Sequence, residues 1–394
     1  MNAAKRPSSS LTLLLAASAA LGGQKSVQAD ETGSAQSVGY RFNVYDEDAF
    51  SGQPVIGSPE RYHVDSQQFA LDTGVGGRNT LDVNATHEVM SGSSPWYLVP
   101  GPGNKPVQVL SGATIRDHRS AVQAAVTHDA GANDTTSVNA SYSAERDYHA
   151  TAIGAEHSMP LNVAVTLACG GSFSHDLIRP TDAELYDRIS RAQKNTLSGF
   201  GGLTWVLNKA SVVESGIQIN YQTGYLSDPY KLATVGDVQL PDTRPEKRTE
   251  GAWLVRYRYA LNADAALHAD TRVAANSWGQ HSLALEVSWY QRVGGDWQLV
   301  PGLRYYAQDS ARFYAPFFAA DSGGPYFSSD YRLGAFGALA ANLNVRKRIG
   351  HWEVTAGAER YHSSTSYALG SSGVPDPAIV SYTRVYAGLD FHFD

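Results

Sequence analysis

Ser174, His175 and Asp176 stand side by side, the three residue types that cooperate in a nucleophilic hydrolase. Adjacency in the chain does not set the geometry a triad needs, and the simpler reading is the polar start of a long loop. Arg116-Asp117-His118-Arg119 sets a histidine beside a carboxylate, which could orient its imidazole, against the plainer reading of a solvated strand start. The 12 histidines are otherwise scattered, and His351 at a turn and His362 near a strand end are expected to face water. Cys169 is the sole cysteine and has no disulfide partner within the chain; between Ala168 and Gly170-Gly171 it reads as a small packed residue. No P-loop, G-x-S-x-G, H-E-x-x-H or paired-cysteine motif occurs, and Gly74-Val75-Gly76-Gly77 reads as a hairpin turn. Motifs therefore predict no catalytic residue, no metal and no cofactor.

A second constellation comes from alternation rather than motif. In 253–259, Trp253, Val255, Tyr257 and Tyr259 share one face and Arg256 and Arg258 the other. Leu267, Ala269, Thr271 and Val273 oppose His268, Asp270 and Arg272, while Leu283, Leu285, Val287 and Trp289 oppose a face that carries Glu286. If Trp253, Leu267, Leu283 and Leu303 meet lipid, the same parity sends Arg256, Arg258, His268, Asp270, Arg272, Glu286 and Arg304 inward. A midplane arginine facing lipid would cost about 2–4 kcal/mol, so this assignment is the affordable one. Inward charges either line an aqueous pore and bias which solutes pass, or form structural ion pairs in a filled lumen.

The elements that must hold these residues are strands. Period-two segments of about ten residues, separated by Gly, Asn, Asp and Pro, begin near Val38, Tyr62, Thr80, Arg116, Thr136, His149, Val163, Thr196, Val212, Gly251, Ala265, Ser282, Gln298, Tyr331, Trp352 and Ser381. Connections after even-numbered strands are short, as at 74–79, 129–134 and 294–296. Those after odd-numbered strands are mostly long, as at 91–115, 227–247 and 308–330. The expected fold is all-β: a transmembrane antiparallel up-and-down β-barrel of about 16 strands, with short periplasmic turns and long external loops. A sandwich also alternates but need not sort its loop lengths by parity. Tyr225, Trp253, Trp297, Tyr331 and Trp352 are candidates for interfacial aromatic girdles.

Composition agrees. Among 394 residues, 42% are hydrophobic and 18% charged, too apolar for a disordered chain. Only 11–21 forms an apolar run of any length, too short and too rich in Ala and Ser for a membrane helix. That run, preceded by Lys5 and Arg6 and followed by Val27-Gln28-Ala29, predicts a signal peptide over 1–29. Residues 30–37 are then a short N-terminal segment and 38–394 a single barrel domain, with no plug or passenger domain expected ahead of the first strand. Loss of Lys5, Arg6 and Lys25 would take the net charge from −7 to −10, which disfavours a nucleic-acid partner.

The loop from Ser91 to Asp117 is long and aromatic. Pro95, Trp96, Tyr97, Arg116 and Asp117 are its candidate constriction or docking residues, a surface loop packed by Trp96 being the alternative. It also carries a family resemblance. Met90-Ser91-Gly92-Ser93-Ser94-Pro95-Trp96, followed by Ser111-Gly112-Ala113-Thr114-Ile115-Arg116-Asp117, resembles the hallmark of exported bacterial proteins grouped as domain of unknown function 3570. Arg61-Tyr62-His63-Val64-Asp65-Ser66-Gln67-Gln68-Phe69 and Tyr45-Asp46-Glu47-Asp48 are similar to that family too. The resemblance runs from about Tyr40 to the C-terminus. It implies a Gram-negative envelope protein with a barrel fold and supplies no catalytic or binding residue. The final Asp394 departs from the aromatic terminal residue common among barrels.

These readings give three functional expectations. The first is an outer-membrane channel or passive conduit for small polar solutes. The second is a non-conducting barrel that serves as a scaffold or binds an unknown envelope partner, and the third a secreted soluble all-β binding protein. For a barrel, the partners are outer-membrane lipid and the barrel-assembly machinery.

Overall fold

Alternating side chains let a strand satisfy two media at once, and pairing each strand with two neighbours leaves no backbone group exposed to lipid. A computed structural model, describing residues 36–50, 55–110, 115–370 and 376–393, shows this solution carried to closure. Sixteen antiparallel strands form one closed barrel. They are β1 (Ser37–Glu47), β2 (His63–Gly74), β3 (Asn79–Gly92), β4 (Ile115–Gly131), β5 (Asp134–Ala144), β6 (Tyr148–Asn162), β7 (Val165–Ile178) and β8 (Ala192–Asn208), continuing with β9 (Ser211–Gly224), β10 (Lys247–Ala260), β11 (Ala265–Asn276), β12 (His281–Val293), β13 (Trp297–Gln308), β14 (Phe336–Ile349), β15 (Trp352–Ser364) and β16 (Tyr382–His392). β1 closes on β16, with Ser37 opposite His392 and Glu47 opposite Tyr382. No described helix is long and apolar enough to cross a membrane. The signal peptide expected over 1–29 lies outside the described residues.

Strand starts fall close to those expected. The widest gap is at β14, expected at Tyr331 and found at Phe336. The difference is local: Tyr331–Leu333 forms a single 3-10 turn capped by the Asp330 side chain, and Tyr331 is buried. Tyr331 is therefore not a girdle residue. Trp297 and Trp352 do lie on the outer face near the short-turn rim, where Trp352 packs on Phe391 with ring centroids 4.7 Å apart. Gly76 and Gly77 carry φ of 67° and 57°, left-handed values that let the short connection 75–78 turn the chain from β2 into β3.

The outer face is apolar along the whole wall. Ile153, Leu197, Ile217, Trp253, Val287, Leu303, Leu343 and Val385 all point outward and are exposed. Cys169, expected to be packed, is exposed in β7 opposite Gly201, because the barrel has no layer outside its wall to cover it. Ser174, His175 and Asp176 lie within β7 rather than in a loop. Pleating sends His175 to one face, where its Nδ1 pairs with Asn195 at 2.8 Å, and Asp176 to the other, where Lys194 donates at 2.7 Å. The three cannot form a triad.

Fully buried side chains concentrate at the long-loop rim. Leu98, Gln108, Ala233, Thr234, Ser328 and Asp330 are each at most 2% exposed, and none lies in a barrel strand. In the loop after β3, Pro95–Pro100 and Pro106–Leu110 form a hairpin, extended by Val55–Ile56 running parallel to it. In the loop after β9, Leu232–Val235 and Val238–Pro241 form another.

Candidate functional site

Two structures could serve a function: the lumen wall and the cap over it. The wall is built by cross-strand register. Arg256 stands opposite Glu214 on one side and Asp270 on the other; Asp270 stands opposite Glu286, and Glu286 opposite Arg304. Arg256 between Glu214 and Asp270, and Arg304 opposite Glu286, set opposite charges on neighbouring strands, while Asp270 and Glu286 face each other as like charges. Arg258 grips Asp270 through two nitrogens at 2.6 and 3.1 Å, Arg256 reaches Glu214 at 3.1 Å, and Arg272 reaches Glu250 at 2.7 Å.

Of the seven residues that alternation sends inward, Arg256, Asp270, Arg272, Glu286 and Arg304 line one cavity of about 870 Å³. Arg258 joins them through Asp270. His268 sits on the same face, packed on Tyr290 with ring centroids 4.2 Å apart. The cavity also touches Gln68, Asn84 and Gln123 on β2–β4, so it spans the lumen between two well-separated arcs of the wall. Alternation on a single strand could not reveal those polar residues as neighbours of the arginines.

The cap joins loops rooted on different arcs, which can meet only over the opening. Lys231, in the loop after β9, donates to the Pro95 carbonyl oxygen at 3.0 Å, and the Thr234 hydroxyl donates to that of Leu98 at 2.6 Å. The same loop takes up the loop after β13, where Thr243 and Phe327 exchange backbone hydrogen bonds at 2.9 and 3.0 Å. Tyr230 donates to Asp147 in the turn after β5. Arg61, in the loop after β1, bonds Glu47 at 2.7 Å and the Ala378 carbonyl oxygen at 3.0 Å.

A buried ionic cluster centres this cap. Arg244 donates to Asp242 at 2.7 Å and to Asp330 at 2.8 Å, and Arg332 donates to Asp330 and, at 2.7 Å, to Asp228. Burial alone would raise the Asp330 carboxyl, but Arg332, Lys231 and Arg244 outweigh it and hold the group below the usual carboxylate range. Burial lowers the Lys231 ammonium. Asp376, buried and bonded by the Tyr314 hydroxyl at 2.5 Å, is instead pushed up to about 6 by loss of water.

The residues expected to form a constriction or docking loop divide. Pro95 is buried beneath Lys231, while Trp96 and Tyr97 are half-buried and meet edge-on at 5.1 Å. The side chain of Arg116 lies outside the described residues. Asp117 is 5% exposed and so departs from the reading of a solvated strand start, whereas His118 beside it is exposed. Asp117 is buried because the turn after β5 folds against the start of β4, bringing Glu145 and Asp147 beside it. Nothing in the local pattern of those acids announced the contact.

A family profile matches residues 10–376, nearly the whole chain, and its description is protein of unknown function (DUF3570). The chain belongs to the DUF3570 family. No curated protein sequence matches this member of the family significantly. Among solved structures it is similar to the siderophore receptor PirA from Pseudomonas aeruginosa, at 12% identity and a TM-score of 0.44, covering 89% of this chain and 61% of the receptor. It thus spans about three fifths of that receptor's length. A FadL homologue from the same organism gives 9% identity and a TM-score of 0.41, covering 91% of this chain and 90% of the other. A bacterial polysaccharide outer-membrane secretin gives 9% and 0.48, covering 92% and 100%. The fold assignment rests on the strand pairing of this DUF3570 chain itself.

Proposed function

We propose that the protein is an outer-membrane conduit for small polar solutes, held shut at its long-loop rim by its own cap. The observation that carries the reading is the lumen cavity, whose lining offers Gln68, Asn84 and Gln123 from one arc and Arg256, Asp270, Glu286 and Arg304 from another. A wall that carries amides and paired charges can replace water for polar solutes. The exposed apolar outer face suits a lipid surround, and the signal peptide expected over 1–29 suits export to a Gram-negative outer membrane, with the barrel-assembly machinery as the inserting partner. A net charge of −7 gives no basis for a nucleic-acid partner.

The depth of the cap favours a second reading, a non-conducting barrel that presents this surface to another envelope protein. Swelling of liposomes that contain the refolded protein separates the two. The conduit reading predicts that replacing 95–110 by a short flexible linker speeds swelling in small sugars and amino acids. Equal, protein-independent swelling with and without the hairpin supports the scaffold.

A further inference from the structure

Asp117, near the start of β4, and Glu145 and Asp147, in the turn between β5 and β6, are all buried, and each brings a carboxylate oxygen within 4.8 Å of the others. Register explains the meeting. Ser120 of β4 stands opposite Ala144 of β5, so Asp117 lies level with the residues just beyond Ala144. Three carboxylates out of water and beside one another are strongly unfavourable unless something positive sits among them.

Among the described residues no cation bonds either aspartate, and Arg146 acts on Asp117 only at longer range. Arg119 donates to Glu88 at 2.9 Å and to the Ser143 hydroxyl at 3.0 Å, and its Nε stands 3.7 Å from Glu145. Two oxygens point to a missing occupant. Asp117 accepts the His118 backbone N–H through Oδ1 at 2.8 Å, yet its buried Oδ2 accepts nothing. Asp147 is 2% exposed and accepts the Tyr230 hydroxyl through Oδ2, yet its buried Oδ1 accepts nothing. A cluster built to hold hydrogen bonds would not leave one oxygen of each aspartate bare at 95% burial or more.

We propose that Asp117, Glu145 and Asp147 bind a hard divalent cation of the calcium class. The donors are all carboxylate oxygens, with no imidazole or thiolate among them, which selects against zinc and copper. The cation ties the start of β4 to the turn after β5. Through the hydrogen bond from Tyr230 to Asp147 it also braces the loop after β9, one of the principal parts of the cap. The site stands on its own geometry and holds whether or not the barrel conducts.

The test uses the full chain, refolded in detergent and stripped with chelator, titrated with Ca2+ by calorimetry and followed by thermal melting. The proposal predicts one Ca2+ bound per chain and a higher Tm with calcium. Asp117→Asn is expected to weaken binding at least tenfold and to lose the thermal shift. Glu60→Gln, an exposed acid on the same rim, leaves both unchanged. If Asp147→Asn fails to fold, as read by heat-modifiable migration on gels, Asp117→Asn and Glu145→Gln carry the test. No saturable uptake up to millimolar Ca2+ at neutral pH overturns the proposal, as does uptake undiminished in Asp117→Asn. Tighter binding of Zn2+ than of Ca2+ through the same residues overturns the assigned metal class.

Discussion

Replacing Asp330 by Asn removes one charge from the centre of the cap with almost no change in volume. Asp330 has no exposed side-chain surface and holds Arg244 at 2.8 Å and Arg332 at 2.9 Å, their own side chains 6% and 13% exposed. Breaking a buried ion pair typically costs about 3–5 kcal/mol, because the abandoned charge stays buried. Here Arg244 keeps Asp242 and Arg332 keeps Asp228, each at 2.7 Å, so the cost belongs at the lower end, about 3 kcal/mol. At about 1.4 kcal/mol per tenfold, the population with the cap undocked rises by roughly a hundredfold. Hydrogen exchange followed by mass spectrometry reads this directly, since local opening sets the exchange of amides that open together. In Asp330→Asn, segments 228–244 and 326–334 are expected to exchange roughly a hundredfold faster. Amides of β10–β13 are expected to keep wild-type protection. Unchanged protection in the cap would refute the role given to the cluster; equal loss throughout the barrel would show that it stabilises the wall instead.

Three further outcomes follow from the same geometry. Arg256→Ala with Arg258→Ala strips positive charge from a wall that keeps Glu214 and Asp270, so the reversal potential in a salt gradient moves toward cation selectivity; an unmoved potential counts against a place on the conducting path. Asp376 has a folded pKa raised to about 6 from 3.8, so its protonated form stabilises the cap, and that contribution of at most about 3 kcal/mol is lost as pH rises from about 4 through about 6. Proteolysis of the cap loops should therefore quicken over that range in the wild type but not in Asp376→Asn, and identical profiles would contradict the assignment. Leu303→Arg puts a charge on the outer face where the leucine is 67% exposed, and urea titration in lipid vesicles should show a loss of about 2–4 kcal/mol; wild-type stability would mean that the residue does not face lipid.

The wall was legible in the sequence because its physics is local. Lipid on one side and a polar lumen on the other impose a two-residue period, so Trp253 and Arg256 declare their faces from neighbours within four positions. Counting the alternating segments gave the strand number, and loop lengths sorted by parity told the short-turn rim from the long-loop rim. The cap was not legible, because its contacts join residues far apart in the chain that share no period. Lys231 meets Pro95 across 136 positions, and Arg244 meets Asp330 across 86. Tyr331 shows the limit: an aromatic near an expected strand start looked like a girdle residue, whereas its surroundings are Ala378 and Val380 from another loop. Asp117 was misjudged for the same reason, since its burial depends on a turn 28 residues away.

The central claim is that a conducting lumen lies behind a closed cap. Single-channel recording in planar bilayers, comparing refolded wild type with Asp330→Asn in the same salt, tests it most directly. The account predicts a wild type that is mostly closed with rare openings, and a variant that opens far more often at the same unitary conductance. Absence of conductance from both proteins, with the cap shown by hydrogen exchange to be undocked in the variant, would contradict it.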